Sequence, residues 1–486
     1  IHRLPRKSKF IQKGPATSIQ NANHLLSIND MPHPRALPFI GTKLDLLVAG
    51  SGKQLHEYID RRHKNLGPIF YEKLGSNTKL VFISEPTAMK TLFLSLEGKY
   101  PTHILPDPWI LYGKLYGNKR GLFFMDGEEW LNNRRVMNKH VLTDSSEQWM
   151  ADPLSLTVKK FINSWRERAT NGCFVPDLES DFYRFSIDVI ISTLLGNQLN
   201  STLELNKHSE LLLNMFSESV KKIFQTTTKL YGLPIELYQR FDLKSWRDFK
   251  ESVDSSLLMA KKIVAEILQI NDSNGLTKRL RDENLNDESI TRIIVDFVIA
   301  AGDTTAYTTL WILYLISKRQ ELIAEIRSHD KLHIKHVIKE SMRLYPVAPF
   351  LSRILPKDSV LYNYKLEEGT YISLQTPIIA SIYTSGRDEQ YFSRADEFLP
   401  YRWDRDDPRR KDLANHVPSA SLPFALGARS CIGRKIAMLQ LTEIIYQIVT
   451  QFDLKCLNEA DVKPVTSQVL VPNEDIKIAV PSSIGS

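Results

Sequence analysis

The segment Phe424-Ala-Leu-Gly427-Ala-Arg429-Ser-Cys431-Ile-Gly433 delivers one cysteine at the start of an amphipathic stretch, Gly433 to Val449. Gly427 permits a tight turn, Gly433 lets backbone approach a flat cofactor closely, and a helix N-terminus with Arg429 nearby favours the thiolate of Cys431. Thiolate is the form that binds iron, so the chemistry open to this segment is metal ligation. A lone cysteine is ordinarily a small buried hydrophobe, and Cys173 and Cys456, which lack such neighbours, read that way.

Other spacings carry chemistry less specifically. Glu340 and Arg343 share one face of a predicted helix, Ile334 to Leu344, ended by Tyr345-Pro346; alone they are an ordinary salt bridge. Trp130 and Arg134, at i,i+4, set an aromatic donor and a guanidinium on one helix face, able to reach two carboxylates of one ligand, although that spacing more often decorates a surface. Ala300-Ala301-Gly302-Asp303-Thr304-Thr305 places a glycine, a carboxylate and two hydroxyls within a long apolar run. Hydroxyls there can bond the carbonyl one turn back and weaken the helix, leaving a groove; the plainer reading is a helix packed through small residues. Lys335 and Lys339, one turn apart, with Lys331 extending the stripe, are ordinary solvated lysines by composition. His333-x-x-His336 lacks a third ligand and reads as surface histidine.

Positioning these groups calls for a mostly helical chain with a minor β region. Pro32, Pro34, Pro38 and Gly41 read as an extended lead-in, and the folded domain is expected over residues 35–486, after a basic leader over 1–34. Leu55 to Lys64 reads as a helix stopped by Gly67-Pro68, and Ile69 to Leu74 with Lys79 to Ser84 as a hairpin. From Glu128 to Leu268 helical periodicity dominates, interrupted at Leu230 to Phe241 by Gly232 and Pro234. Asn271 to Glu288 reads as a loop, and Ile290 to Ser317 as one long core helix, because Asp296 and Asp303 would be costly at bilayer depth. Short strands are expected at Tyr371 to Gln375, Val469 to Val471 and Ile476 to Val480, with an irregular polar stretch from Asp404 to Ser421.

Composition narrows the classes. Three cysteines in 486 residues exclude a disulfide framework. A formal charge of +7 suits an acidic protein partner or an anionic membrane surface, and no nucleic-acid-binding signature selects nucleic acid. Arg3, Arg6, Lys7, Lys9 and Lys13 precede the first acidic residue, Asp30, a composition that suits a mitochondrial targeting remnant or a basic tail. No run of roughly 20 apolar residues lies near the N-terminus, so no signal-anchor helix is expected.

The cysteine segment resembles the cytochrome P-450 superfamily, whose loop Phe-x-x-Gly-x-Arg-x-Cys-x-Gly is matched at every position, and the likeness extends over residues 35–480. It implies a single mainly α haem-thiolate monooxygenase fold, with haem b held through Cys431 and the thiolate favouring O–O cleavage. It further implies that Arg402, from Phe398-Leu-Pro400-Tyr-Arg402, joins Glu340 and Arg343 in a structural cluster. Trp130, Arg134, Arg353 and Arg429 are the expected partners of the haem propionates, with Phe424 and Gly433 lining the cofactor. Asp303 and Thr304 are the expected pair organising proton delivery during O₂ cleavage. Glycine is commoner in the family where Ala301 stands, so the shape of the O₂ groove is a departure. The interval from Thr304 to Glu340 is shorter than in mitochondrial members.

Offsets of Lys335 and Lys339 from Glu340 match the lysines with which mitochondrial members bind an adrenodoxin-like ferredoxin, itself reduced by an NADPH-dependent reductase, and Arg434 and Lys435 add charge. Within the superfamily the phrases AAGDTTAYTTLW and GSGKQLHEYIDRRHKNLGPIF look most like insect ecdysteroid hydroxylases. The resemblance thus implies hydroxylation of an apolar steroid with O₂, at C-2 of 2-deoxyecdysone to give ecdysone, on the matrix side of the inner mitochondrial membrane. Substrate walls are expected at Pro101 to Phe124, the helix before Leu230, Ile299 to Thr304, Val347 to Leu351 and Thr466 to Leu470, with Leu230 to Leu237 touching the membrane. Rival readings are a haem-thiolate isomerase or dehydratase acting on a lipid peroxide, and a non-catalytic haem-binding protein.

Overall fold

The computed structural model describes residues 26–38, 40–74, 79–117, 120–170, 172–196, 207–230, 234–269, 274–328, 331–361, 364–366 and 376–481. The first helices are α1 (Lys43–Val48), α2 (Leu55–Leu66), α3 (Pro86–Thr91), α4 (Asp107–Tyr116), α5 (Gly127–Val141) and α6 (Ser145–Ala169). Then come α7 (Leu178–Leu195), α8 (Lys207–Thr228), α9 (Ile235–Arg240), α10 (Lys244–Leu268), α11 (Leu276–Asp282) and α12 (Asp287–Ser317). The last are α13 (Gln320–Ser328), α14 (Lys331–Leu344), α15 (Ile382–Gly386) and α16 (Arg434–Gln451).

Local chemistry sets several of these boundaries. Gly67, at φ 101°, stops α2 where an L side chain would be strained. The Asp126 carboxylate caps α5 through the Gly127 N–H, and Asn286 caps α12 through the Ser289 N–H, with Asp287 and Glu288 in the first turn complementing the dipole. Helix α12 is long and apolar enough to cross a membrane by composition, yet 78% of its most apolar window is buried against other helices. It packs on α7, α8, α10, α13, α14 and α16, as the core reading of its two aspartates requires.

Strands β1 (Ile69–Glu72), β2 (Leu80–Ile83), β3 (Phe350–Ile354) and β6 (Pro377–Ser381) form one sheet in the order β1-β2-β6-β3. The hairpin β1–β2 pairs Ile69 with Ile83 antiparallel, β2 runs parallel to β6, and β3 closes the edge antiparallel. Strands β1 and β6 are buried on both faces, because one face packs against Tyr58 and Ile59 of α2 and the other against Ala88, Met89 and Phe93. Strands β4 (Ser359–Leu361) and β5 (Tyr364–Leu366) pair with each other, β8 (Pro464–Ser467) pairs with β9 (Val469–Pro472), and β7 (Lys455–Cys456) pairs with β10 (Ile478–Ala479). The mainly α reading with a minor β region holds.

Several expectations change. The stretch expected as a loop from Asn271 to Glu288 contains α11, whose Leu276 and Leu280 are fully buried, so its polar positions are the outer face of a short helix. The interruption at Leu230 to Phe241 contains α9. Folded structure begins before residue 35: Ser27 caps a short 3₁₀ turn, Met31 is buried against the sheet, and Pro32 O accepts from Tyr71 N at 3.0 Å. The strand expected at Tyr371 to Gln375 lies outside the described residues. Between α13 and α14 the residues 329–330 lie outside the described residues.

Candidate active site

Cys431 sits on a loop whose geometry its own sequence dictates. Its N–H donates to Phe424 O at 2.8 Å, closing a turn in which Ala425 and Gly427 take φ of 57° and 80°. A Cβ on Gly427 would lie 2.1 Å from Phe93 O and 2.4 Å from Glu97 Oε1, so only glycine fits. Glu97, which the sequence did not single out, bolts the loop down: its buried carboxylate accepts from Ala428 N at 2.6 Å and from Arg353 Nε at 2.7 Å. No motif marks Glu97; its role comes from the neighbouring π-turn that ends α3 and brings it under the loop.

The cations expected around the loop converge there. Arg134 of α5 is buried and donates to Ser430 O at 2.7 Å, while Arg429 donates to Met125 O at 2.6 Å and lies 4.4 Å above the Trp130 ring. Arg353 on β3 reaches Leu426 O at 3.5 Å. Burial pulls the Arg134 guanidinium down to about 10, with Arg353 adding repulsion against the attraction of Cys431 and Glu97. His103, also missed, is held down to about 3 by burial and by Arg429 and Arg353. These guanidiniums are opposed by buried Glu97 and the more exposed Asp126, 3.6 Å from Arg429. A concentrated positive excess at a loop bearing one thiol is the donor set that a flat dianionic iron chelate would satisfy. The residues therefore fit haem b: Cys431 would ligate the iron, and Arg134, Arg353, Arg429 and Trp130 would take the carboxylates.

One expectation about the thiol is corrected. Burial raises the Cys431 thiol above its ordinary value, and the opposing influences are the Gly433 N–H, Arg134 and Arg434, not Arg429. The residue is nevertheless exposed in the folded chain. Coordination by a metal deprotonates such a thiol outright.

Helix α12 crosses this loop. A Cβ on Gly433 would lie 3.8 Å from Phe297 Cε2 and 3.9 Å from Cys431 Sγ, so Phe297 and the sulfur flank the same small volume. One turn on, Ala300 is exposed and Ala301 and Thr304 are half-buried in the mostly buried middle of the helix, forming an open strip of small side chains. Thr304 Oγ1 donates to Ala300 O at 2.9 Å, and Thr308 and Thr309 repeat the pattern one turn later. Gly302 faces the other way. A Cβ there would meet the Tyr183 ring and hydroxyl of α7 at 2.8 Å, so this glycine serves helix packing and the open strip belongs to Ala300, Ala301 and Thr304. Asp303 is buried beside Gly302, and burial, then Glu179, pushes its carboxyl up to about 8 against the pull of Lys221.

Glu340, Arg343 and Arg402 lie together. Glu340, Arg343 and Arg402 are each fully buried at their side chains; Arg343 bridges both oxygens of Glu340 at 2.8 and 2.9 Å, and Arg402 Nε donates at 2.8 Å. Burial alone would raise the Glu340 carboxyl, but Arg343, Arg402 and the Leu399 N–H hold it below its ordinary value. Trp403 Nε1 also donates to Glu340 at 2.8 Å, a contact whose sequence signal was only its adjacency to Arg402. Arg343 additionally ties down Gly386, Ala395 and Glu397 carbonyls.

Two segments named as substrate walls are joined where Leu470 N donates to Val347 O, and a third is tied to β3 just beyond Leu351, where Ile354 N donates to Thr102 O and Ile104 N to Ser352 Oγ. They are less apolar than expected, since Arg120 forms a buried pair with Asp296 at 2.8 Å while stacked over Trp109 and Phe124. Lys335 and Lys339 are exposed on α14, and burial together with mutual repulsion lowers Lys339. Arg434 is exposed, but Lys435 is committed to Asp144 at 2.8 Å and to Thr143 O at 2.9 Å, and Lys331 is paired with Glu443, so neither extends the free basic stripe. His333 and His336 are buried rather than on the surface, near Glu325 and Asp404.

A family model described as cytochrome P450 matches residues 31–480, and the chain belongs to that family. It is accordingly a haem-thiolate monooxygenase with haem b on a cysteine thiolate. Among its relatives, cytochrome P450 315a1, mitochondrial, of Drosophila melanogaster is 36% identical, over 97% of this chain and 92% of that protein. The mitochondrial cholesterol side-chain cleavage enzyme of Ovis aries is 29% identical over 87% and 84%, and the mitochondrial 1,25-dihydroxyvitamin D(3) 24-hydroxylase of Rattus norvegicus is 26% identical over 97% and 93%.

Proposed function

We propose that this chain is a mitochondrial steroid hydroxylase that takes electrons from an adrenodoxin-like ferredoxin and hydroxylates an ecdysteroid, at C-2 of 2-deoxyecdysone to give ecdysone. The observation that carries the chemistry is the open strip of Ala300, Ala301 and Thr304, which begins one turn after Phe297, the residue beside Gly433 of the cysteine loop. Haem b, when bound, supplies the activation of O₂. The chain supplies the rest: small side chains on α12 would leave room for O₂, and Asp303, kept protonated at neutral pH by burial, holds a proton one residue from the Thr304 hydroxyl.

Steroid and compartment rest on relatives whose names carry cholesterol, 1,25-dihydroxyvitamin D(3) and the word mitochondrial, and on the ecdysteroid-hydroxylase-like phrases around Thr304 and in α2. Exposed Lys335, Lys339 and Arg434 offer a basic face to an acidic ferredoxin. A peripheral contact with the matrix side of the inner membrane is supported by exposed Leu44, Leu47 and Val48 on α1 and by exposed Leu237, Phe241 and Leu243. Leu230, expected in that contact, is buried.

The test is reconstitution of purified holoenzyme with ferredoxin and reductase on 2-deoxyecdysone, other ecdysteroid precursors and cholesterol, with products identified by mass spectrometry. Ecdysone formed from 2-deoxyecdysone is expected. Turnover of the other steroids alone would remove the C-2 assignment.

A further inference from the structure

Where the segment Pro101 to Phe124 meets α12, a charged pair is buried among aromatic rings. Arg120 Nε donates to Asp296 Oδ1 at 2.9 Å and Nη2 lies 2.8 Å from the same oxygen, with the two side chains 8% and 7% exposed. The guanidinium carbon stands 4.3 Å from the centroid of the Trp109 ring and 4.7 Å from that of Phe124. The backbone is clamped at the same place. Arg292, one turn before Asp296 on α12, donates to Arg120 O at 2.9 Å and to Glu129 Oε1 at 2.6 Å. A Cβ on Gly121 would lie 2.3 Å from Arg292 O and 2.9 Å from Asp296 Cβ, so only glycine lets the chain run this close to the helix. Burial raises the Asp296 carboxyl, and Arg120, the Gly121 N–H and Arg292 pull against it.

The pair is firmly held but incomplete. Arg120 Nη1 and Asp296 Oδ2 are both buried and make no hydrogen bond among the described residues. A buried donor and a buried acceptor left open are costly, and for packing alone apolar side chains of similar volume would serve as well as a charge pair. Asp296 also stands one turn before the exposed Ala300, so it shares the face of α12 on which the open strip begins. An occupant of that space carrying oxygens would complete both groups.

We propose that Arg120 and Asp296 select the steroid by its oxygens: a substrate hydroxyl donates to Asp296 Oδ2, and a hydroxyl or carbonyl oxygen accepts from Arg120 Nη1. A hydrocarbon surface placed there leaves both groups unpaired, so the pair discriminates against a steroid that lacks oxygen at that position. The assignment rests on the chain being a steroid hydroxylase and adds which chemical feature of the steroid is read.

The experiment is titration of the haem-loaded protein with 2-deoxyecdysone and with analogues that each lack one further oxygen, the dissociation constants being read from the change in haem absorption. Wild type should bind at least one analogue about tenfold or more weakly than 2-deoxyecdysone. Arg120→Leu with Asp296→Leu, which leaves no lone charge buried, should bind 2-deoxyecdysone about tenfold or more weakly, while that analogue loses little. Arg120→Lys keeps the charge pair without the spare donor and remains informative if the double variant loads haem poorly. It should lose affinity only for steroids carrying the oxygen that accepts from Nη1. An equal loss for 2-deoxyecdysone and every analogue, or no loss at all, marks the pair as structural, with water on its open atoms, and overturns the proposal. Binding of cholesterol and its 22- and 25-hydroxy derivatives, but of no ecdysteroid, removes the ecdysteroid reading instead. The pair then stands if the double variant loses the wild-type preference for the hydroxylated derivatives, and falls if that preference is absent or unchanged.

Discussion

Asp303 keeps its proton in the folded chain up to about pH 8, whereas an unfolded aspartate releases it near pH 4. Between those values the native state binds more protons than the unfolded one, so this residue makes stability fall as pH rises through the window. Asp303→Asn should abolish that part of the slope: thermal unfolding at pH 5 and pH 8 should show the variant gaining on wild type at the higher pH, while product per NADPH drops. An equal offset at both pH values would contradict the burial account. At the same scale, Gly427→Ala places a side chain at φ 80° against Phe93 O. The backbone strain alone costs roughly 1–2 kcal/mol, and the clash displaces the cysteine loop. Purified Gly427→Ala should retain far less haem than wild type, read from its absorption spectrum; full occupancy would sink the argument.

Among the elements, α14 and the polar stretch after β6 are joined through Glu340, which accepts from Arg343, Arg402, Leu399 and Trp403. Removing its charge leaves two guanidiniums buried, so Glu340→Gln should destabilise by about 3–5 kcal/mol. Trp403→Phe removes one donor and should cost about 1–3 kcal/mol. A larger loss in Trp403→Phe than in Glu340→Gln, compared by thermal unfolding, would contradict this ranking. This scale also shows what the sequence made legible. Fixed spacings marked Cys431, Glu340 and Arg343, because each motif binds residues close in sequence, whereas Arg402 was reached only through the family resemblance of Phe398 to Arg402. Glu97 and His103 were invisible, since they meet Arg353 and Arg429 only after distant segments fold together. The side of α12 that Gly302 serves was hidden for the same reason: periodicity places it on the helix but does not say that Tyr183 packs there. His333 and His336 were misread as surface groups because helical spacing does not reveal which neighbours cover a face.

For the whole molecule, the distribution of charge and apolar surface decides the partners. Lys335→Glu with Lys339→Glu should raise the ferredoxin concentration needed for half-maximal turnover tenfold or more, on the order expected for reversed charges at a steered interface. The loss should shrink at high salt, and kcat at saturating ferredoxin should change little. Lys435→Gln should behave nearly as wild type, because Lys435 is already spent on Asp144. Val48 is 91% exposed, and Val48→Asp with Phe241→Asp should weaken binding to cardiolipin-containing vesicles in a sedimentation assay; unchanged binding would place the membrane contact elsewhere. The most direct measurement of the central claim is turnover of 2-deoxyecdysone under oxygen-18 gas by the holoenzyme with ferredoxin and reductase. Each ecdysone molecule should carry a single heavy oxygen, and Cys431→Ala should form none. Product bearing only light oxygen, or undiminished turnover by Cys431→Ala, would contradict the account.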